Sequence, residues 1–165
     1  VSSRQKGLAD DQWKTLVFYC HGRRVAENCQ RFPETDALLR RIPQMRTAMF
    51  SILDGGAHIP AHHGPYKGVL RYHLGLRVPA QGDACCIRVD NEIRSWEEGK
   101  SLIFDDTYEH EVWNRDPRQR VVLFVDILRP MSPPLAILNR ALAGIIERVG
   151  DVREVQAKAG QFARP

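Results

Sequence analysis

What this sequence lacks narrows it before any motif is read. No apolar run approaches the roughly 18 residues that a membrane-spanning helix needs, and the first residues lack the charged-then-apolar pattern of a signal peptide. There is no basic block. The 24 Lys and Arg are interleaved with 20 Asp and Glu, for a formal charge of +4, so nothing here tracks a phosphate backbone and no nucleic-acid partner is expected. Cysteine is scarce: Cys20, Cys29, Cys85 and Cys86 form no CxxC pair, and a chain of 165 residues needs no disulfide staples. Reduced thiols in a cytoplasm are expected, with a Cys20 to Cys29 bridge as the alternative. No internal repeat or low-complexity tract is evident, and the sequence opens on Val1 and not on Met, which leaves room for a preceding segment.

What is present suits one globular domain spanning 1–165, with 43% hydrophobic residues for a real core. Residues 8–24 mix aromatic and β-branched types and end at His21-Gly22, which predicts a strand or two and a turn. Pro33 followed by Glu34 to Arg41, acids first and arginines last, predicts one short helix. Strands are then expected at Met45–Leu53, Gly68–Val78, Ala84–Val89, Ile93–Trp96, Ser101–Phe104, Glu111–Trp113 and Arg120–Leu128. Short strands with a turn signal every 8 to 12 residues argue for a mainly β fold, a sandwich or jelly roll with its core at about 45–130.

After Pro130 the period changes. Leu135, Leu138, Leu142, Ile145, Ile146 and Val149 recur at helical spacing and predict an amphipathic helix over about 134–149. It is expected to pack on the sheet or on a second copy of the chain, with peripheral attachment to a membrane surface as the alternative. Residues 151–165 are polar and expected to fray.

In the strand Val69 to Leu76, period two sends Leu70, Tyr72, Leu74 and Leu76 to one face, read as core, and Arg71, His73 and Gly75 to the other. A buried arginine is costly unless it meets a carboxylate or a bound anion. A small acidic ligand satisfies Arg71, as does an internal Asp or Glu. In the last strand Arg120, Val122, Phe124 and Asp126 share a face, and Arg120 near Arg71 could grip a diacid at both ends.

Two histidine motifs stand 48 residues apart: His62-His63-Gly64-Pro65, read as a rigid loop, and His110 in an acidic turn before Val112-Trp113. Imidazoles brought together by a jelly roll suit iron with open coordination positions. The usual iron triad adds a carboxylate two residues after the first histidine, but Gly64 follows His62 there and Pro65 follows His63. Asp105, Asp106 or Glu109 could substitute, although turn hydrogen bonding and solvent exposure are the roles expected of them.

Together, Met49-Phe50-Ser51, His62-His63-Gly64-Pro65, Leu70 to Leu76, Trp96-Glu97-Glu98-Gly99-Lys100 and Phe104-Asp105-Asp106 through His110-Glu111-Val112-Trp113 resemble the aspartyl/asparaginyl β-hydroxylase family. The resemblance runs from about Trp13 to Pro130. It implies a double-stranded β-helix dioxygenase using Fe(II), 2-oxoglutarate and O2. It also implies His62 and His110 as catalytic metal ligands, and Ser51, Arg71, His73 and Arg120 as 2-oxoglutarate contacts, with Trp13 at the pocket wall. Animal members have Gly where Gly64 stands. Their disulfide is not reproduced, since Cys29 matches one half and Asp36 the other.

The substrate implied is the β-carbon of Asp or Asn in a peptide or protein. The alternative is the acyl chain of a lipid A-type molecule, because the Leu70 to Leu76 strand and the helix after Pro130 are also similar to bacterial lipid A 2-hydroxylases, which carry His-x-Asp instead. A cytoplasmic protein, at the inner face of the membrane if the helix binds there, follows from either, and an oligomer is left open. A reading from another class is a non-catalytic jelly-roll module that holds an acidic ligand.

Overall fold

The computed structural model describes residues 12–79 and 84–149, and the expectation for 151–165 lies outside them. In chain order these residues form β1 (Trp13–Cys20), β2 (Arg23–Arg24), α1 (Ala26–Arg31), α2 (Pro33–Leu39), β3 (Met45–Leu53), β4 (His58–His62) and β5 (Val69–Arg77). There follow β6 (Cys85–Val89), β7 (Glu92–Ser95), β8 (Ser101–Phe104), β9 (His110–Asn114), β10 (Arg120–Leu128) and α3 (Pro133–Val149). Two antiparallel sheets, ordered β2-β1-β3-β10-β5-β8 and β4-β9-β6-β7, make a jelly-roll sandwich. The expected bounds of β3, β8 and β10 coincide with those observed.

Three corrections concern elements. The core does not begin at residue 45, because β1 pairs along most of β3 and belongs to the larger sheet. The expected short helix is α2, and a second precedes it: α1, only six residues long and without a side-chain cap, gave no start signal. His62 is not in a loop but ends β4, a strand disguised by Pro60. β4 is an edge strand, where a proline interrupts no ladder on its open side.

The larger sheet buries both faces. Between the sheets, Leu53, Ile59, Ile87, Trp96, Val112 and Val122 form one core. On the outer face Phe18, Leu39, Ala48 and Val125 form a second under α1 and α2, where Phe18, Phe32 and Phe50 meet edge to face at 4.8–5.7 Å. The Leu70, Tyr72, Leu74 and Leu76 face of β5 belongs to this outer side, and Leu76 is exposed. The inter-sheet side of β5 carries Arg71 and His73.

α3 does not dock by its large apolar residues. Its buried positions are Asn139 and Ala143, whereas Leu135, Leu138, Leu142, Ile145 and Ile146 are all exposed. Asn139 donates to the Gly68 carbonyl (2.8 Å) and accepts from the Tyr66 hydroxyl. A Cβ at Gly68 would collide with Asn139, so glycine there permits the close approach of helix and strand.

All four cysteines are buried and none is in a disulfide, so no Cys20 to Cys29 bridge forms. Where the animal disulfide would stand, Asp36 accepts hydrogen bonds from Tyr19 (2.6 Å), Arg24 (2.7 Å) and Arg40 (2.8 Å) beside Cys29. The charged bonds, Arg24 first, hold the Asp36 carboxyl well below the usual range.

Candidate active site

β4 and β9 bring His62 and His110 together. The ladder pairs Ile59 with Val112 and His62 with His110, three residues against two, so β4 carries a bulge of one extra residue. Strict alternation from the core-facing Ile59 would turn His62 outward. The bulge restores it to the side of His110, and the ring centroids lie 4.1 Å apart. His63 is exposed, which separates it from the pair.

Both rings are oriented in the same way. His62 donates from Nδ1 to the Pro60 carbonyl (2.8 Å), and His110 donates from Nδ1 to the Tyr108 carbonyl (3.0 Å). With Nδ1 carrying the proton, each Nε2 keeps its lone pair, the form that binds a divalent metal. Burial lowers the His110 pKa to about 4, so its ring is neutral at physiological pH.

One of the three acids named as a substitute carboxylate comes close to His62. Asp106, expected to be solvent exposed, is 1% exposed, and its side chain fills the space that a Cβ on Gly64 would need. The Gly64 amide donates to the Asp106 carbonyl (2.6 Å), fixing the two loops together. Asp106 Oδ2 pairs with Arg71 at 2.9 Å, while Oδ1 has no partner. Burial raises the Asp106 pKa against the pull of Arg71. Asp105 does take the expected turn role, accepting from Thr107, and Glu109 is an exposed partner of Arg88.

Arg71 therefore has internal counter-ions. Besides Asp106 it meets Asp126, its register partner on β10, at 3.0 Å. Burial alone would lower its pKa, but the two carboxylates outweigh burial and raise it. Arg120 is the opposite case. It is 2% exposed, no ion pair links it to a carboxylate among the described residues, and its Nε lacks a hydrogen bond. Its guanidinium lies 4.6 Å over the Trp96 ring, and burial lowers its pKa to about 10. A desolvated guanidinium of this kind calls for an anion.

Register places the rest. On β10 and its neighbours the inter-sheet rungs run Arg120 beside Leu53, Val122 beside Ser51 and Gly75, Phe124 beside Met49 and His73, then Asp126 beside Thr47 and Arg71. At about 3.4 Å per residue, the six-residue step from the Arg120 rung to the Arg71 rung spans about 20 Å. That is a separation of backbones, and both guanidinium groups act on His73; what distinguishes the two arginines is that Arg71 already meets two carboxylates and Arg120 meets none among the described residues. His73 lies between them. Neither of its ring nitrogens has a partner, and burial, with Arg120 and Arg71 nearby, keeps it neutral. Ser51 accepts from the Trp13 indole (3.0 Å), which leaves the serine proton free to donate.

Trp96 was read in the sequence as a strand end and part of a motif, with no role in the site, yet it is 1% exposed and roofs the Arg120 end. It is held by a strap over 96–100, and Gly75 allows the approach, since a Cβ there would meet the Glu97 carbonyl. Phe104 stands edge-on to His73 at 5.1 Å and 5.9 Å from His110, between the histidine pair and the interior.

The donor set fits a divalent metal and a small diacid: two lone-pair nitrogens, a carboxylate with an unpartnered oxygen, and a buried cation with an unpartnered histidine beyond. Among the described residues no group of three or more His, Cys, Asp or Glu is arranged as a complete metal cage, so two histidines are the nucleus of such a site. Against known families, residues 1–130 match the one described as Aspartyl/Asparaginyl beta-hydroxylase. The chain belongs to that family.

Relatives in and around the aspartyl/asparaginyl β-hydroxylase family sharpen this. The chain is 50% identical over 146 residues to the ornithine lipid ester-linked acyl 2-hydroxylase of Rhizobium tropici, covering 88% of this chain and 52% of that protein. It is 39% identical over 136 residues to the aspartyl/asparaginyl beta-hydroxylase of Homo sapiens, covering 79% of this chain and 17% of that one. The chain thus spans about half the length of the first and less of the second. Both relatives are hydroxylases by name, which supports an enzyme. The cupin domain of Schizosaccharomyces pombe Cnp3 superposes with a TM-score of 0.50 at 11% identity, over 81% of this chain and 74% of that one, a likeness of fold alone.

Proposed function

We propose that this protein is an Fe(II)- and 2-oxoglutarate-dependent hydroxylase whose substrate is a lipid-borne acyl chain, hydroxylated next to its ester carbonyl. The observation that carries the cofactor assignment is Arg120, a buried guanidinium without a carboxylate, on the same inter-sheet side as His73 and the His62 and His110 pair. Iron with 2-oxoglutarate and O2 supplies the oxidising chemistry, and succinate and CO2 are the co-products.

The chain's own residues bind and orient. His62 and His110 would hold the metal through Nε2. Arg71, already neutralised by Asp106 and Asp126, fixes the Asp106 carboxylate and does not touch the cosubstrate. Arg120 and the Ser51 hydroxyl hold the far carboxylate of 2-oxoglutarate, with Trp13 orienting Ser51 and neutral His73 supporting the middle of the molecule. Trp96 and Phe104 keep water from the Arg120 end, where a low dielectric strengthens the ion pair.

The lipid acyl chain is preferred over an Asp or Asn side chain because identity to the lipid hydroxylase is higher and its match runs on into α3, beyond where the family match ends. Anaerobic addition of Fe(II) and 2-oxoglutarate should produce a weak visible charge-transfer band that disappears in Arg120→Met. No band in the native chain means a binding module without turnover.

A further inference from the structure

The amphipathic helix is left over once the active site is accounted for. α3 touches the body through Asn139 and Ala143, one turn apart, while Leu135, Leu138, Leu142, Ile145 and Ile146 form an exposed apolar stripe on a neighbouring side. Ile146 is 40% exposed and at the same time lines a cavity of about 110 Å³ with Ala143, Tyr66 and Val69. Arg71 and Asp106 also line that cavity, and Asp106 packs against Gly64, two residues from His62. The stripe thus meets, through Ile146, a cavity that reaches the loop carrying Gly64 and Asp106.

We propose that the α3 stripe is a docking surface for an anionic lipid bilayer, which delivers the acyl substrate at the cavity beside Ile146. This rests on the lipid reading above. Exposed Lys67, next to the Gly68 whose carbonyl accepts from Asn139, is not ion-paired among the described residues and sets a cation beside the docked side of α3, as an anionic surface requires. Lys67 Nζ sits 6.0 Å over the half-exposed Tyr108 ring, whose carbonyl orients His110, so a cation and an aromatic rim the histidine pair on this side. A second copy fits less well. A 17-residue helix is about 25 Å long and its stripe about 10 Å wide, roughly 250 Å² per copy, well short of the ~800 Å² per partner of a stable interface.

The test is flotation of the full chain with phosphatidylcholine vesicles, with and without phosphatidylglycerol, for the native protein and for Leu138→Glu/Leu142→Glu. Ile137→Glu is the control, since Ile137 is 69% exposed on another side of the helix. Binding should favour the anionic vesicles, fall at least tenfold in the double variant and change less than twofold in the control. The stripe is already exposed, so the double variant should keep the native melting temperature. The proposal is overturned if the native chain fails to float, if the control loses binding equally, or if light scattering shows a dimer that the double variant dissociates. Flotation needs no turnover, so a chain that docks yet hydroxylates no lipid overturns the substrate reading and leaves the docking surface standing.

Discussion

The Asp106 carboxylate occupies the space that a side chain at Gly64 would fill, and Arg71 holds it there at 2.9 Å. The two positions are alternatives for one group. A side chain on residue 64 requires the other carboxylate to leave.

Gly64→Asp alone should therefore overpack the site and cost about 1–3 kcal/mol, read as a lowered Tm. Adding Asp106→Ala should recover most of that loss, because it vacates the contested space. Equal melting of the native and Gly64→Asp chains would show that Asp106 is not fixed against Gly64.

The two arginines should separate kinetically. Arg120→Met removes charge-assisted hydrogen bonds of about 1.5–3 kcal/mol each and should raise the 2-oxoglutarate KM at least tenfold. Without cosubstrate its Tm should hold or rise, since an unpaired buried charge is gone. Arg71→Met should instead lower kcat and Fe(II) affinity with little change in that KM, and should lower Tm, because it leaves Asp106 and Asp126 facing each other unpaired. A large rise in the 2-oxoglutarate KM for Arg71→Met would return Arg71 to the cosubstrate pocket.

Asp36 predicts an acid limb of stability. Its folded pKa is depressed by Arg24, Tyr19 and Arg40, so its contribution is present above the unfolded value of about 3.9 and is lost as pH falls toward the folded one. Denaturation of Asp36→Asn should show a lower midpoint at neutral pH and a flatter decline below pH ~4 than the native chain. Parallel acid limbs would assign the pH dependence elsewhere.

How far the sequence could be read depended on whether local pattern and tertiary need agreed. β3, β8 and β10 were legible to the residue because their periodicity and their burial coincide. β4 was not, since Pro60 argues against a strand and the bulge before His62 reverses the alternation that periodicity counts on. Two histidines 48 residues apart were recognisable by motif, but their meeting across β4 and β9 is a matter of register. Arg71 and Arg120 looked alike as strand arginines. The distinction is Asp126, directly across from Arg71 on another strand, and no comparable acid across from Arg120. The helix was legible as an amphipath, yet the face it docks by carries Asn139 and Ala143, which hydrophobic periodicity passes over.

The central claim is hydroxylation of an ester-linked acyl chain driven by 2-oxoglutarate. Mass spectrometry of an aminoacyl lipid incubated with the protein, Fe(II), 2-oxoglutarate and O2 tests it most directly, with succinate measured in parallel and Asp- or Asn-containing peptides as the competing substrate. The account predicts one added oxygen on the carbon next to the ester carbonyl, one succinate per hydroxyl group, and no product from the His110→Ala variant. A hydroxylated peptide with untouched lipid would contradict it.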